Sequence, residues 1–123
     1  LVEFGNHTYN LHQIAGGRKG ADQKKGESLS DYHTILFKDL TQNQEKIEQA
    51  AGKAPLMFAW PYGAYPQDKN ADGVLKSLGL KLSVNSYQAH ITQGDPESLY
   101  GLGRYLRTPD FRLEKILEDS AVL

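Results

Sequence analysis

A chain of 123 residues suffices for one compact domain, or for about half of an α/β barrel, which needs about 250 residues. Fourteen basic against 15 acidic residues leave a formal net charge of -1, so the chain carries no broad electrostatic footprint for nucleic acid or an anionic membrane. The lack of cysteine excludes disulfides, thiolate metal sites and cysteine nucleophiles, and leaves any metal site to histidine and carboxylates.

Leu1-Val2-Glu3-Phe4 reads as a short strand entered partway through a domain, with Gly5-Asn6 turning the backbone out of it. His7 to His12 then fall on the outgoing loop. From Gly16 to Ser28 the chain is rich in Gly, Lys, Asp and Gln and nearly devoid of apolar residues, which predicts an exposed loop outside the core. Ser30-Asp31 can cap a helix whose apolar positions Tyr32, Ile35, Leu36, Leu40, Ile47, Ala50 and Ala51 follow helical spacing, with Gly52 as its stop. Leu56 to Trp60 is a continuous apolar run, the pattern of a strand buried on both faces, ended by Pro61 and Gly63. Asp68 or Asn70 can cap a short helix through Val74, Leu75 and Leu78 that stops at Gly79. Leu80 to Val84 make the next strand, and Leu102 to Leu106 suit another. Thr108 and Pro109 suit the start of a last helix carrying Phe111, Leu113, Ile116 and Leu117. No apolar run approaches the roughly 20 residues of a membrane span.

Strands alternating with helices imply an α/β fold with a parallel sheet, which collects functional groups on loops at the carboxyl ends of its strands. The His7 to His12 segment follows the first strand and Trp60-Pro61-Tyr62-Gly63 follows the second, so the two loops can converge on one crevice. Five residues apart, His7 and His12 would be splayed by about 140° on a helix, whereas a bent loop can bring both nitrogens to one ion. Two neutral imidazoles suit zinc, nickel or cobalt, and a catalytic site needs one further protein ligand and an open position for water. On spacing alone the plainer reading is favoured, in which His7 caps a loop and His12 is a part-exposed polar residue. Phe58 to Tyr65 likewise reads as core running into a turn, although Trp60, Tyr62 and Tyr65 stand at and beyond the strand end, where aromatic faces can stack on sugar rings.

Residues 3 to 12, Glu-Phe-Gly-Asn-His-Thr-Tyr-Asn-Leu-His, resemble the histidine motif of the polysaccharide deacetylase family, carbohydrate esterase family 4. Most members space the pair by four; the spacing of five, with Thr8-Tyr9 and Leu11, is similar to the branch that deacetylates poly-β-1,6-N-acetylglucosamine. Trp60-Pro61-Tyr62-Gly63 resembles the family's third motif in the form used by that branch, with Ala59 standing where the common form has an Arg that orients the catalytic aspartate. Leu80 to Ser86 and Leu99 to Arg107 look like the family's later strands, so the resemblance covers nearly the whole chain. It implies that residues 1–123 are the C-terminal portion of the deacetylase domain, part of a distorted (β/α) barrel.

The same resemblance implies the chemistry: metal-dependent hydrolysis of N-acetyl groups from an N-acetylglucosamine polysaccharide. His7 and His12 would bind a divalent metal, zinc first and cobalt or nickel as alternatives. The backbone amide of Tyr62 would hold the oxyanion, and Trp60, Pro61, Tyr62 and Gly63 would bind substrate. The Thr-Phe-Asp-Asp motif that supplies a metal aspartate and the catalytic base is absent from these residues, as is a terminal Leu-x-His, so base and acid are expected from outside this chain. His33 and His90 are expected at the surface or in caps, and Asp31, Glu3 and Asp39 are unassigned carboxylates. The expected partners are the amino-sugar polymer and, because half a barrel exposes unpaired sheet edges, the missing N-terminal half or a partner copy. The expected location is extracellular or at the cell surface. Two rivals stand beside this reading: a glycan-binding or regulatory module of the same fold that has lost the chemistry, and a non-catalytic α/β domain whose His pair is structural.

Overall fold

The computed structural model describes residues 2–87, 94–105, 108–110 and 112–121. A small antiparallel hairpin pairs β1 (Ile14–Ala15) with β2 (Arg18–Lys19), and the long helix α1 (Leu29–Ala51) follows. Next come β3 (Met57–Ala59), a 3₁₀ turn at Pro61–Gly63, helix α2 (Asp72–Ser77) and β4 (Leu82–Val84). A second 3₁₀ turn at Pro96–Leu99 and helix α3 (Leu113–Ala121) complete the order.

β3 and β4 run parallel, with Met57 opposite Leu82, Phe58 opposite Ser83 and Ala59 opposite Val84. Parallel bridges extend the pairing to Asn6 beside Phe58 and to Leu102 beside Val84. The sheet order is therefore the Asn6 segment, β3, β4 and the Leu102 segment, with α1 and α2 as successive crossovers. This is the expected α/β layout with a parallel sheet.

Helix α1 begins at Leu29, earlier than the Ser30-Asp31 signal suggests, because the Ser28 hydroxyl accepts from the Asp31 amide at 3.0 Å and is the better-placed N-cap. Its C-terminal stop is as expected: Gly52 at φ 78° donates its amide to Glu48 O at 2.8 Å. Tyr32, Leu36, Leu40 and Gln44, four residues apart, form its buried stripe, while Ile35 and Ala50 lie outside it. The stripe packs on Phe58 and Trp60, and Ala21, Ala71, Leu75 and Leu80 close the core.

Several sequence expectations shift in the structure. The opening strand contracts to the single bridge at Asn6, and Phe4 is exposed. Asn6 does not turn the chain away; it is fully buried, and its side chain is bonded on every side. Its Nδ2 donates to Leu40 O at 3.1 Å and to Gln44 Oε1 at 2.9 Å, while its Oδ1 accepts from Asn43 Nδ2 at 2.8 Å and from the Thr8 amide at 2.9 Å. Gln44 in turn donates to Pro55 O at 3.0 Å. The Gly16 to Ser28 segment is not a loop detached from the core: it holds the second strand of the hairpin, buries Ala21 completely and ties itself down with the Arg18–Glu27 ion pair. A single small side chain and backbone bonding do there what an apolar run does elsewhere. β3 is buried on one face only. Phe58 lies under α1, whereas Met57 is 40% exposed on the opposite face, which it shares with Leu82, Val84 and Leu102.

Helix α2 starts at Asp72 after an Ala71 cap, because Asp68 and Asn70 spend their side chains on the preceding turn, with the Asn70 amide donating to Asp68 Oδ1 at 3.2 Å. Helix α3 starts at Leu113, with Thr108 to Asp110 lying ahead of it. Phe111, His90 and Leu106 lie outside the described residues.

Asp72 is 5% exposed, and the Tyr65 hydroxyl donates to both its carboxylate oxygens at 3.1 Å. Burial raises the Asp72 pKa above the usual carboxylate value, against the lowering effect of the Tyr65 hydrogen bond and of Lys69 and Lys76. A carboxyl with a raised folded-state pKa binds its proton more tightly in the native state, so stability falls as pH rises from the unfolded value of 3.8 through the folded one. Asp72→Asn is expected to keep neutral-pH stability equal or higher and to flatten that decline, read from urea midpoints across the acidic range. Asn6→Ala is expected to cost about 3 kcal/mol, since it strands several buried partners at once. An unchanged urea midpoint would contradict the hub role of Asn6.

Candidate metal and substrate site

The two candidate loops meet at the carboxyl edge of the sheet. Because Asn6 pairs with Phe58 on the helix side, His7 falls on the other side, over the end of β3. Its Nδ1 lies 2.7 Å from Ala59 O. A carbonyl oxygen can only accept, so Nδ1 carries the proton and Nε2 keeps its lone pair, the form in which an imidazole ligates a metal.

His12 returns over His7 with ring centroids 4.7 Å apart at an interplanar angle of 65°. Two imidazoles on one tetrahedral zinc, with Zn–N about 2.1 Å, would set their centroids roughly 5 Å apart, so the pair has the spacing of a shared ion. Both side chains are exposed at this edge. Among the described residues no group of three histidines or carboxylates forms a complete cluster. The donor set therefore fits two of the three protein ligands of an open catalytic site.

The Trp60 to Gly63 loop stands directly alongside, with the Tyr62 ring 4.8 Å from that of His12. Tyr62 adopts φ 57° and ψ 14°, left-handed backbone for a non-glycine residue. Thr8, in the histidine loop, does the same at φ 75°. Such conformations cost about 1–2 kcal/mol each, and both fall in the two motif loops. Pro61 opens the 3₁₀ turn without an N–H. The next amide, that of Tyr62, is an orphan of the turn's first positions and makes no hydrogen bond among the described residues.

The structure separates the four residues of this loop. Tyr62 is 42% exposed beside His12. Trp60 is only 1% exposed: it is wedged between Phe58 and Tyr65, and its indole N–H donates to Ser83 Oγ at 3.1 Å. Its ring is thus committed to the core and has no free face for a sugar, which corrects the expectation that Trp60 lines the groove. Pro61 and Gly63 are buried as well and shape the turn from behind. Gly20, at φ 59°, lets the hairpin loop approach this turn; a β-carbon there would lie 2.8 Å from Pro61 O.

Two residues whose part in the site the sequence does not indicate contribute to it. Asp39 on α1 accepts from the amides of Tyr9 and Asn10 in the histidine loop. Ala59 contributes through its carbonyl. A carboxylate 30 and 29 residues away from the amides it holds gives no hint of such a clamp, and a carbonyl is silent in any sequence. His33 is half-buried: its Nε2–H donates to Asn70 O at 2.6 Å, joining α1 to the turn before α2. Glu3 is engaged by Lys53 at 2.9 Å and Asp31 lies in the first turn of α1, and among the described residues no carboxylate forms a three-ligand group with the pair.

Residues 2–83 match the model of the polysaccharide deacetylase family. The chain belongs to that family. Poly-β-1,6-N-acetyl-D-glucosamine N-deacetylases from several strains of Staphylococcus aureus are 27% identical to it over 110 residues, covering 89% of this chain and 34% of theirs. The chain thus spans about a third of the length of these curated relatives. Among solved structures, a de-N-acetylase from Aggregatibacter actinomycetemcomitans superposes with a TM-score of 0.71 at 27% identity, over 96% of this chain and 47% of that one. IcaB from Ammonifex degensii gives 0.67 at 25% identity over 86% and 42%. The BpsB deacetylase domain from Bordetella bronchiseptica, at 21% identity and a TM-score of 0.66, shares the fold. In this polysaccharide deacetylase chain the family match includes both candidate loops.

Gly63 tests how tightly the turn is held. A β-carbon there would fall 1.8 Å from Ser86 Oγ and 2.8 Å from the Ser86 amide nitrogen, at a φ of 64° that disfavours any side chain. Gly63→Ala is expected to destabilise by about 2 kcal/mol or more. Adding Ser86→Gly should restore only part of this, because the backbone clash remains; full recovery of the melting midpoint would show that the turn is looser than described.

Proposed function

We propose that the whole polypeptide is a metal-dependent deacetylase that removes N-acetyl groups from an N-acetylglucosamine polysaccharide, and that this chain supplies two metal ligands and the oxyanion amide. The observation that carries the reading is the histidine pair: His7 held by Ala59 O in its ligating tautomer, with His12 against it and Tyr62 alongside. Family membership and the S. aureus relatives support the substrate class.

His7 Nε2 and His12 would hold a divalent ion, zinc first and cobalt or nickel as alternatives, together with an aspartate from outside this chain. Such an ion, when bound, polarises the acetamide carbonyl and activates water for attack. The Tyr62 N–H then donates to the oxygen that gains charge, with no partner to give up beforehand. The Tyr62 ring covers the pair on one side, and the base and acid come from outside residues 1–123.

An open cleft of about 700 Å³ lies between the Asp22–Glu27 loop and the Tyr65–Asn70 turn, with Tyr87 in its lining. Its amides, hydroxyls and carboxylates suit further sugars of a polymer. Burial, reinforced by the neighbouring charge of Asp68, raises the pKa of Asp22 in its wall despite the bond from the Gln23 amide.

The fold expected of the whole domain is a distorted (β/α) barrel, and residues 1–123 would be its C-terminal portion. The half-covered face of Met57, Leu82, Val84 and Leu102 would then be closed by the missing N-terminal half, or by a partner copy. No described helix is long and apolar enough to cross a membrane. By resemblance to the family, the polymer and its enzyme would meet outside the cytoplasm or at the cell surface. A second reading, a glycan-binding module without the chemistry, is motivated by Ala59 at the position where the family's common form has Arg.

Metal analysis and acetate release separate the two. Full-length protein is expected to take up about one zinc, cobalt or nickel ion at this site and to release acetate from acetylated glucosamine oligomers. His7→Ala and His12→Ala should each lower metal retention and kcat/KM by more than the ~10–100-fold typical of an outer-shell partner. Unchanged metal content and turnover in both variants would falsify the assignment.

A further inference from the structure

The bend from His7 to His12 lies outside any helix or strand of the described fold. It passes through Thr8 at φ 75°, a conformation that a β-branched residue resists. A loop of this kind keeps one shape only if something outside it holds its amides.

Helix α1 does so along one polar stripe. Asp39 Oδ1 accepts from the Tyr9 amide at 2.8 Å and Asp39 Oδ2 from the Asn10 amide at 2.7 Å, so each carboxylate oxygen takes one of two consecutive N–H groups. One turn further along, Asn43 bonds Asn6 Oδ1, which also accepts from the Thr8 amide. Lys46 lies over the Tyr9 ring at 5.5 Å from its centroid. Successive loop amides at 8, 9 and 10 are thereby fixed to one rigid element.

We infer that Asp39 is the positioning residue of the histidine pair: by clamping the Tyr9 and Asn10 amides it sets where His12 returns relative to His7, and so governs how tightly an ion is held. The inference rests on the reading of His7 and His12 as metal ligands. A carboxylate is required because both its oxygens accept, whereas an amide side chain of the same shape would turn an N–H against one loop N–H. Asp39 itself touches neither imidazole in the bonds described.

The test is Asp39→Asn in the full-length protein, with cobalt and zinc affinity measured by chelator competition and the visible spectrum of the cobalt form as a report on ligand geometry. Ser28→Ala, which removes the N-cap of the same helix, is the control for stability loss alone. Asp39→Asn is expected to weaken metal binding about 10–100-fold and to alter the cobalt spectrum. Ser28→Ala should lower the melting midpoint and leave both unchanged. Wild-type affinity in Asp39→Asn, or an equal loss of affinity in Ser28→Ala, overturns the positioning role. His7→Ala distinguishes the two levels: if it binds the ion as well as wild type does, the ligand reading itself fails, and the role of Asp39 with it.

Discussion

The arrangement of the site depends on one buried side chain. Asn6 pairs with Phe58 in the sheet and is at the same time bonded to α1. By donating to Leu40 O and Gln44 Oε1 while accepting from Asn43 and Thr8, it uses nearly its full bonding capacity inside the core. Gln44 relays the tie to Pro55, just ahead of β3. Three pieces of chain far apart in sequence are thus locked together at the residue that precedes His7. A buried amide with unmet bonds is expensive, so only one register of strand against helix satisfies this knot. Where His7 emerges follows from it.

The second motif loop is held by a different kind of constraint. Apolar packing fixes its start, since Trp60 sits between Phe58 and Tyr65 with its N–H on Ser83. Close approach fixes its end, since Gly63 abuts Ser86 and Gly20 abuts Pro61 with no room for a methyl group. Between these anchors Tyr62 adopts left-handed backbone, and its ring lies beside that of His12. The strain at Tyr62 and at Thr8 is tolerated because the neighbouring residues are held in place, Pro61 and Gly63 by close approach and the amides of Thr8, Tyr9 and Asn10 by Asn6 and Asp39.

Much of this was legible in the sequence. The alternation of apolar runs with helical periodicity gave the parallel α/β layout, Gly52 marked the end of α1, and the histidine spacing and the Trp-Pro-Tyr-Gly block pointed to the family. What was not legible shares one physical origin: it depends on partners far away in the chain. Asn6 looked like turn chemistry because Asn usually is, and only its contacts with α1 make it a core residue. Trp60 looked like a groove wall because it stands at a strand end, and the side of the sheet it faces was decided by the register with Ser83. Asp39 was one carboxylate among many until the bend brought two amides to it. Ala21 was invisible because a lone alanine in a polar stretch carries no periodicity.

The bond between His7 and Ala59 has a consequence for how this branch can vary. The acceptor that selects the His7 tautomer belongs to the main chain, so every amino acid at position 59 supplies it equally. Orientation of the imidazole is therefore uncoupled from the identity of that side chain, and a large basic residue at 59 is not needed to hold His7 in place. An alanine at 59 is compatible with an intact histidine pair for that reason.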